Sequence, residues 1–131
     1  MSTFVRRAAA AFFVAHGIAH VLGFLGSWRL GEFTDAPSTT AILNGTIDVG
    51  DGGMRVVGVV WLAAAAAFLA AAVAMWRGNL RAVAAFTVFS LVVCVVGLPA
   101  AIVGVWIDVA ILIALAALIV VRPATMHPAV R

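Results

Sequence analysis

Lysine is absent from the 131 residues, cysteine occurs once, and charged residues make up only 10% of the chain. Without lysine there is no Schiff-base chemistry with retinal or a carbonyl substrate. The lone thiol, Cys94, forms neither an internal disulfide nor a CxxC redox pair, which removes quinone-coupled thiol oxidation. The low charge stands against 66% hydrophobic residues and a mean hydropathy of +1.22. A soluble domain of this length could not bury that much apolar surface, so lipid must serve as solvent. Catalytic signatures are scarce too. The sequence shows no nucleophile elbow, no phosphate loop and no paired mid-membrane carboxylates, so hydrolases with covalent intermediates and prenyl-pyrophosphate enzymes lack their usual marks.

What charge there is lies in a pattern. Eight arginines against five acids give a pI near 11.2. The arginines are scattered, mostly at the ends of apolar runs, so they read as topology anchors and not as a nucleic-acid patch. The apolar runs predict four spans, at about 4–28, 53–76, 80–98 and 101–121, with an outer polar loop at about 29–52. Arg6-Arg7 ahead of an apolar segment superficially resembles a secretion signal. The run is too long for a signal core and lacks a small-residue cleavage site, so it is read as a mature helix. Arg6, Arg7, Arg77, Arg81, Arg122 and Arg131 then share one side. Glu32, Asp35, Asp48, Asp51 and Asp108 lie on or near the other. By the positive-inside rule, both termini are cytoplasmic. The expected fold is all-α: one domain forming an antiparallel four-helix transmembrane bundle.

The first span carries the feature that most needs explaining. His16 and His20 are four residues apart and share a helical stripe with Gly23 and Ser27. Ionisable side chains at bilayer depth are costly, and such a pair is by default a functional-site hypothesis. At 1.5 Å per residue His16 lies about 18 Å below Trp28 and His20 about 12 Å below. Trp61 should share the depth of His20, with Asp108 only a turn or two below the outer surface. These positions predict an outer-half polar pocket formed by His16, His20, Trp61, Asp108 and Arg55, joined by Asp48 and Asp51 from the loop. Membrane bundles bind molecules in cavities of this kind. The bland alternatives are a histidine that merely bonds a neighbouring helix, and an Asp108–Arg55 ion pair at the mouth. The Thr87, Ser90, Cys94, Gly97 stripe reads as helix-packing material, and Trp28, Trp76 and Trp106 as belt residues.

Three functions follow from the pattern. The first is a membrane protein that binds a lipophilic small molecule or a partner subunit in that pocket. The second is a membrane-embedded acid–base enzyme of isomerase, cyclase or epoxide-opening type. There His20 would be the proton carrier and Asp108 or Asp51 would orient it. The third is a metal or haem module on His16 and His20, although no cofactor is required by the sequence. His-x-x-x-His is a metal-ligand spacing, and Asp108, Asp51 or Cys94 could supply further ligands. Gly17, Ile18 and Ala19 between the histidines exclude an HExxH protease site, and two residues on one helix face cannot form a bis-histidine haem. Drug-exporter-like transport is disfavoured, because the first span offers histidine where such exporters place a mid-depth carboxylate. Membrane lipid is the expected environment. Small residues Gly58, Ala65 and Ala72 on one face of the second span would permit a homodimer.

The segments His16-Gly-Ile-Ala-His20-Val-Leu-Gly23-Phe24 and Asp48-Val-Gly-Asp51-Gly-Gly-Met-Arg55-Val-Val-Gly58-Val-Val-Trp61 resemble those of small uncharacterised four-span membrane proteins from actinobacteria-like genomes. The resemblance covers the first two spans and their loop. It implies a bacterial inner-membrane location and brings no established activity.

Overall fold

Ser2 begins the first helix: its hydroxyl accepts the Val5 amide at 3.3 Å, satisfying one of the amides a helix start leaves unpaired. The computed structural model describes residues 1–31 and 40–120. Among them are four helices: α1 (Thr3–Ser27), α2 (Gly50–Trp76), α3 (Leu80–Val96) and α4 (Ile102–Val120). Glu32 and Asp35 of the loop, and Arg122, His127 and Arg131 of the tail, lie outside the described residues. Gly78, at φ +75°, turns the chain between α2 and α3, a left-handed conformation that glycine adopts without steric penalty. Asn79 then caps α3 by accepting the Ala82 amide at 3.2 Å. Helices adjacent in sequence pack against one another.

α1, α2 and α4 are each long and apolar enough to cross a membrane; α3 is apolar but only 17 residues long. The first pair of helices is also longer than the second, at 25 and 27 residues against 17 and 19. Part of the outer polar loop forms a hairpin. Strands β1 (Ala41–Ile42) and β2 (Ile47–Asp48) pair antiparallel, with Ile42 opposite Ile47. The tip of this hairpin lies over the end of α3. The Leu43 and Asn44 amides donate to the Val96 and Leu98 carbonyls at 2.9 Å each, satisfying acceptors that a helix end leaves unpaired.

Burial is inverted relative to a soluble protein. Thr87, Ser90, Cys94 and Asp108 are among the most deeply buried side chains, whereas Phe4, Ile18, Val56, Val92, Val103, Trp106 and Ile113 point outward. Water would penalise that outer surface; lipid does not, and the apolar helices accord with contact to membrane lipid. α4 illustrates this most strongly, since Asp108 and Leu115 are its buried residues. The small-residue stripe of α2 is used within the chain and is not left free for a second copy. Gly58, Ala65 and Ala72 are buried; Gly58 lies against Trp28, and Ala65 against Gly17.

Candidate functional site

The polar groups converge at the centre of the helices, and α1, α3 and α4 each contribute. His16 Nε2 lies 3.2 Å from Asp108 Oδ1. Ser90 Oγ lies 2.8 Å from Asp108 Oδ2, and His20 Nε2 lies 2.7 Å from Ser90 Oγ. His20 Nδ1 donates to the His16 carbonyl at 3.0 Å, which leaves Nε2 as the nitrogen facing the cluster. Cys94 Sγ is 3.8 Å from that same Nε2. Asp108 is wholly buried, and no buried side-chain nitrogen or oxygen among the described residues lacks a partner.

Counting hydrogens constrains the cluster further. Ser90 has a single hydroxyl proton but sits in two short hydrogen bonds. If it donates to Asp108, His20 must donate from Nε2 and is doubly protonated. If it donates to His20, Asp108 must carry the other proton. In both arrangements His20 and Asp108 share one ionisable proton, and with His16 neutral the cluster has no net charge. A charge-neutral cluster suits a site so far from water.

α2 contributes aromatic walls. Phe68 stands edge-on to His16 at 4.5 Å between ring centroids and 5.2 Å from His20. Trp61 leans on His20 at 5.4 Å. Two glycines make room for the indole: a Cβ added at Gly23 would come within 2.4 Å of Trp61, and one at Gly97 within 2.5 Å. Gly104 similarly leaves space for the Cys94 sulfur, which an added Cβ would approach to 2.8 Å.

These positions redraw the pocket expected from sequence. His16, His20, Trp61 and Asp108 do come together. However, Asp108 bonds directly to His16, and His20 reaches it only through Ser90. The expected depths set Asp108 nearer the outer surface than His16, whereas the His16–Asp108 contact puts the two side chains side by side. The remaining expected members lie elsewhere. Asp51 pairs with Arg29 at 2.7 Å, with side chains 71% and 58% exposed. The Arg55 carbonyl accepts from Trp28 Nε1 at 3.0 Å, so its role here is to fasten α1 to α2. Asp48 accepts from Thr40 Oγ1 at 2.6 Å and from the Gly50 amide at 2.9 Å. Those two bonds, the Thr40 one first, hold its carboxyl below the ordinary value of 3.8. Trp28, expected in the interfacial belt, is therefore also a clasp between helices.

Sequence reasoning passed over Ser90 and Phe68. Ser90 was visible in the α3 stripe, but a serine at that spacing looks the same whether it packs or bridges. Phe68 carried no signal, being one apolar residue in an alanine-rich helix. A cavity of about 240 Å³ lies at the far end, between Thr3, Arg6, Arg7 and Trp76, and includes none of the expected site residues.

Taken together, fold and site define a small helical protein with three helices long and apolar enough to cross a membrane and a buried His–His–Asp centre. No protein-family model, curated protein or solved structure matches the chain. The first-helix motif and a bacterial source therefore gain no support from relatives, and the functional reading rests on the geometry alone. Its most distinctive element is a set of three donors. One ligand atom each from His16, His20 and Asp108 lies within 4.8 Å of the others, all three residues buried, so the group could hold a metal ion. A haem fits poorly, because the Phe68 and Trp61 rings already occupy the space beside both imidazoles.

Proposed function

We propose that this chain is a multi-pass protein of the bacterial inner membrane that holds a divalent transition-metal ion between His16, His20 and Asp108. The observation that carries the reading is the convergence of three buried donor atoms from two helices within 4.8 Å. Two further features support it. His20 donates Nδ1–H to a backbone carbonyl, and Ser90 holds the second oxygen of Asp108. Outer partners of this kind orient metal ligands in known sites. The four helices would form the bundle, α3 included. Arg6, Arg7, Arg77 and Arg81 fall at one end of the helices against Arg29 and Arg55 at the other, a bias that favours cytoplasmic termini.

The same packing argues against a lipophilic ligand or a substrate at His20. That imidazole is 3% exposed, and Trp61 and Phe68 cover it. Elemental analysis of protein purified without chelator tests the metal reading. About one equivalent of zinc or a similar metal is expected, with loss of metal in His16→Ala and Asp108→Asn. Protein that carries no metal and takes up neither Zn²⁺ nor Co²⁺ would end the proposal.

A further inference from the structure

Resting on that reading, we infer that the Cys94 thiolate is the fourth ligand of the ion, closing a tetrahedral, charge-neutral His₂AspCys centre. Distance is the first ground. Zinc bonds of about 2.0–2.1 Å to nitrogen or oxygen and about 2.3 Å to sulfur span tetrahedral edges of about 3.3 Å for N–O and about 3.6 Å for N–S. The His16–Asp108 contact is 3.2 Å and the Cys94–His20 contact 3.8 Å, each close to the corresponding edge. Binding has then mainly to draw the His16, His20 and Asp108 atoms together from separations of up to 4.8 Å, with Cys94 closing in from the His20 side.

Charge is the second ground. A dication held by two neutral imidazoles and one carboxylate leaves a net positive charge in the bilayer interior, which is costly. A second anion cancels it. The helices around the cluster offer few candidates. α1 brings His16 and His20, α2 only the Trp61 and Phe68 rings, α4 the Asp108 carboxylate, and α3 Ser90 and Cys94. Among these, only the Cys94 thiol can supply the second negative charge. The proton balance closes accordingly. The ion enters, the proton shared by His20 and Asp108 leaves, and the thiol proton leaves with it. Two protons depart for two positive charges, and the cluster stays neutral. Ser90 then bonds Asp108 Oδ2 alone, and Gly104 keeps room for the sulfur.

Four protein ligands leave no open coordination position, the arrangement of structural and storage sites and not of hydrolytic ones. A thiolate also biases the site toward zinc-like ions over magnesium or manganese.

Titration of the intact, detergent-solubilised protein with Co²⁺ tests this. The native protein is expected to show tetrahedral d–d bands with a near-ultraviolet sulfur-to-cobalt charge-transfer band. Two protons should be released per ion in weakly buffered solution. Cys94→Ser should lose the charge-transfer band, release one proton and bind at least about 100-fold more weakly, beyond the usual effect of an outer partner. Cobalt bound by the native protein without a charge-transfer band would overturn the Cys94 assignment and leave the three-ligand reading standing. That result does not depend on how the variant folds. Failure of the native protein to bind cobalt or zinc would overturn both.

Discussion

Removing the Ser90 hydroxyl should be costly out of proportion to its size. In the metal-free protein that oxygen joins His20 Nε2 and Asp108 Oδ2, at 2.7 and 2.8 Å, where neither can turn to water. In water-soluble proteins, leaving a buried polar group unpaired costs about 1–3 kcal/mol. In bilayers the unfolded reference also finds partners, and single side-chain bonds average about 0.6 kcal/mol with a maximum near 1.7. Two bonds on that scale span roughly 1.2–3.4 kcal/mol, so Ser90→Ala should destabilise the metal-free protein by about 2 kcal/mol. Thr87→Val is the control one turn away. Thr87 is equally buried, but its hydroxyl donates only to the Val83 carbonyl at 2.9 Å, a group that keeps its helical bond without it. Its loss should cost under about 0.5 kcal/mol. Reversible unfolding in mixed micelles, titrated with a denaturing detergent in the presence of chelator, measures both. Equal losses from the two variants would refute the idea that Ser90 bridges an acid and a base.

Other outcomes follow from features away from Ser90. Gly97→Ala pushes a methyl group into the Trp61 ring and should cost about 1–3 kcal/mol, shrinking to near zero when Trp61→Leu has emptied the space, as a double-mutant cycle would show. Asp51→Asn should change stability by less than about 1 kcal/mol, since both partners of its ion pair are mostly exposed. Metal content should be unchanged in Asp51→Asn and Arg55→Ala; loss of the ion in either would mean that the outer end belongs to the site. The Asp48 carboxyl is held down by Thr40 and Gly50, so its contribution to hairpin stability is fully present above pH 3.8 and disappears as pH falls through the lower folded value. Thr40→Val should move the Asp48 titration, followed by carboxyl NMR, back toward 3.8.

Much of this architecture could be read from residue order. Apolar runs marked where helices would lie, because in lipid a helix must satisfy its own backbone and its side chains need only be greasy. The cost of ionisable groups at depth pointed to His16 and His20 before any geometry, while Asp108 read as a shallow group near the outer surface. Which histidine meets the acid was not legible. That depends on how the helices are offset along one another, a long-range fact, as is the hairpin that bonds the end of α3 through the Leu43 and Asn44 amides. Two-residue strands leave too faint a periodicity to announce themselves. The partners of the outer residues were equally out of reach: that Asp51 pairs with Arg29 and that the Arg55 carbonyl meets Trp28 are contacts between distant parts of the chain. Ser90 shows a third limit. A polar side chain in a packing stripe becomes chemistry only through its neighbours on other helices, and those are long-range facts.

Of the four described helices, α4 has the fewest buried residues. α1 and α2 are locked by glycine–indole contacts, and α3 is tied to the hairpin. The last helix sinks only Asp108 and Leu115 into the rest. It is held by the Asp108 carboxylate, gripped from α1 and α3, and by Leu115 in the main apolar cluster with Ile111 packed against it. Were α4 withdrawn, the acid would leave behind two histidines still facing each other across a single turn.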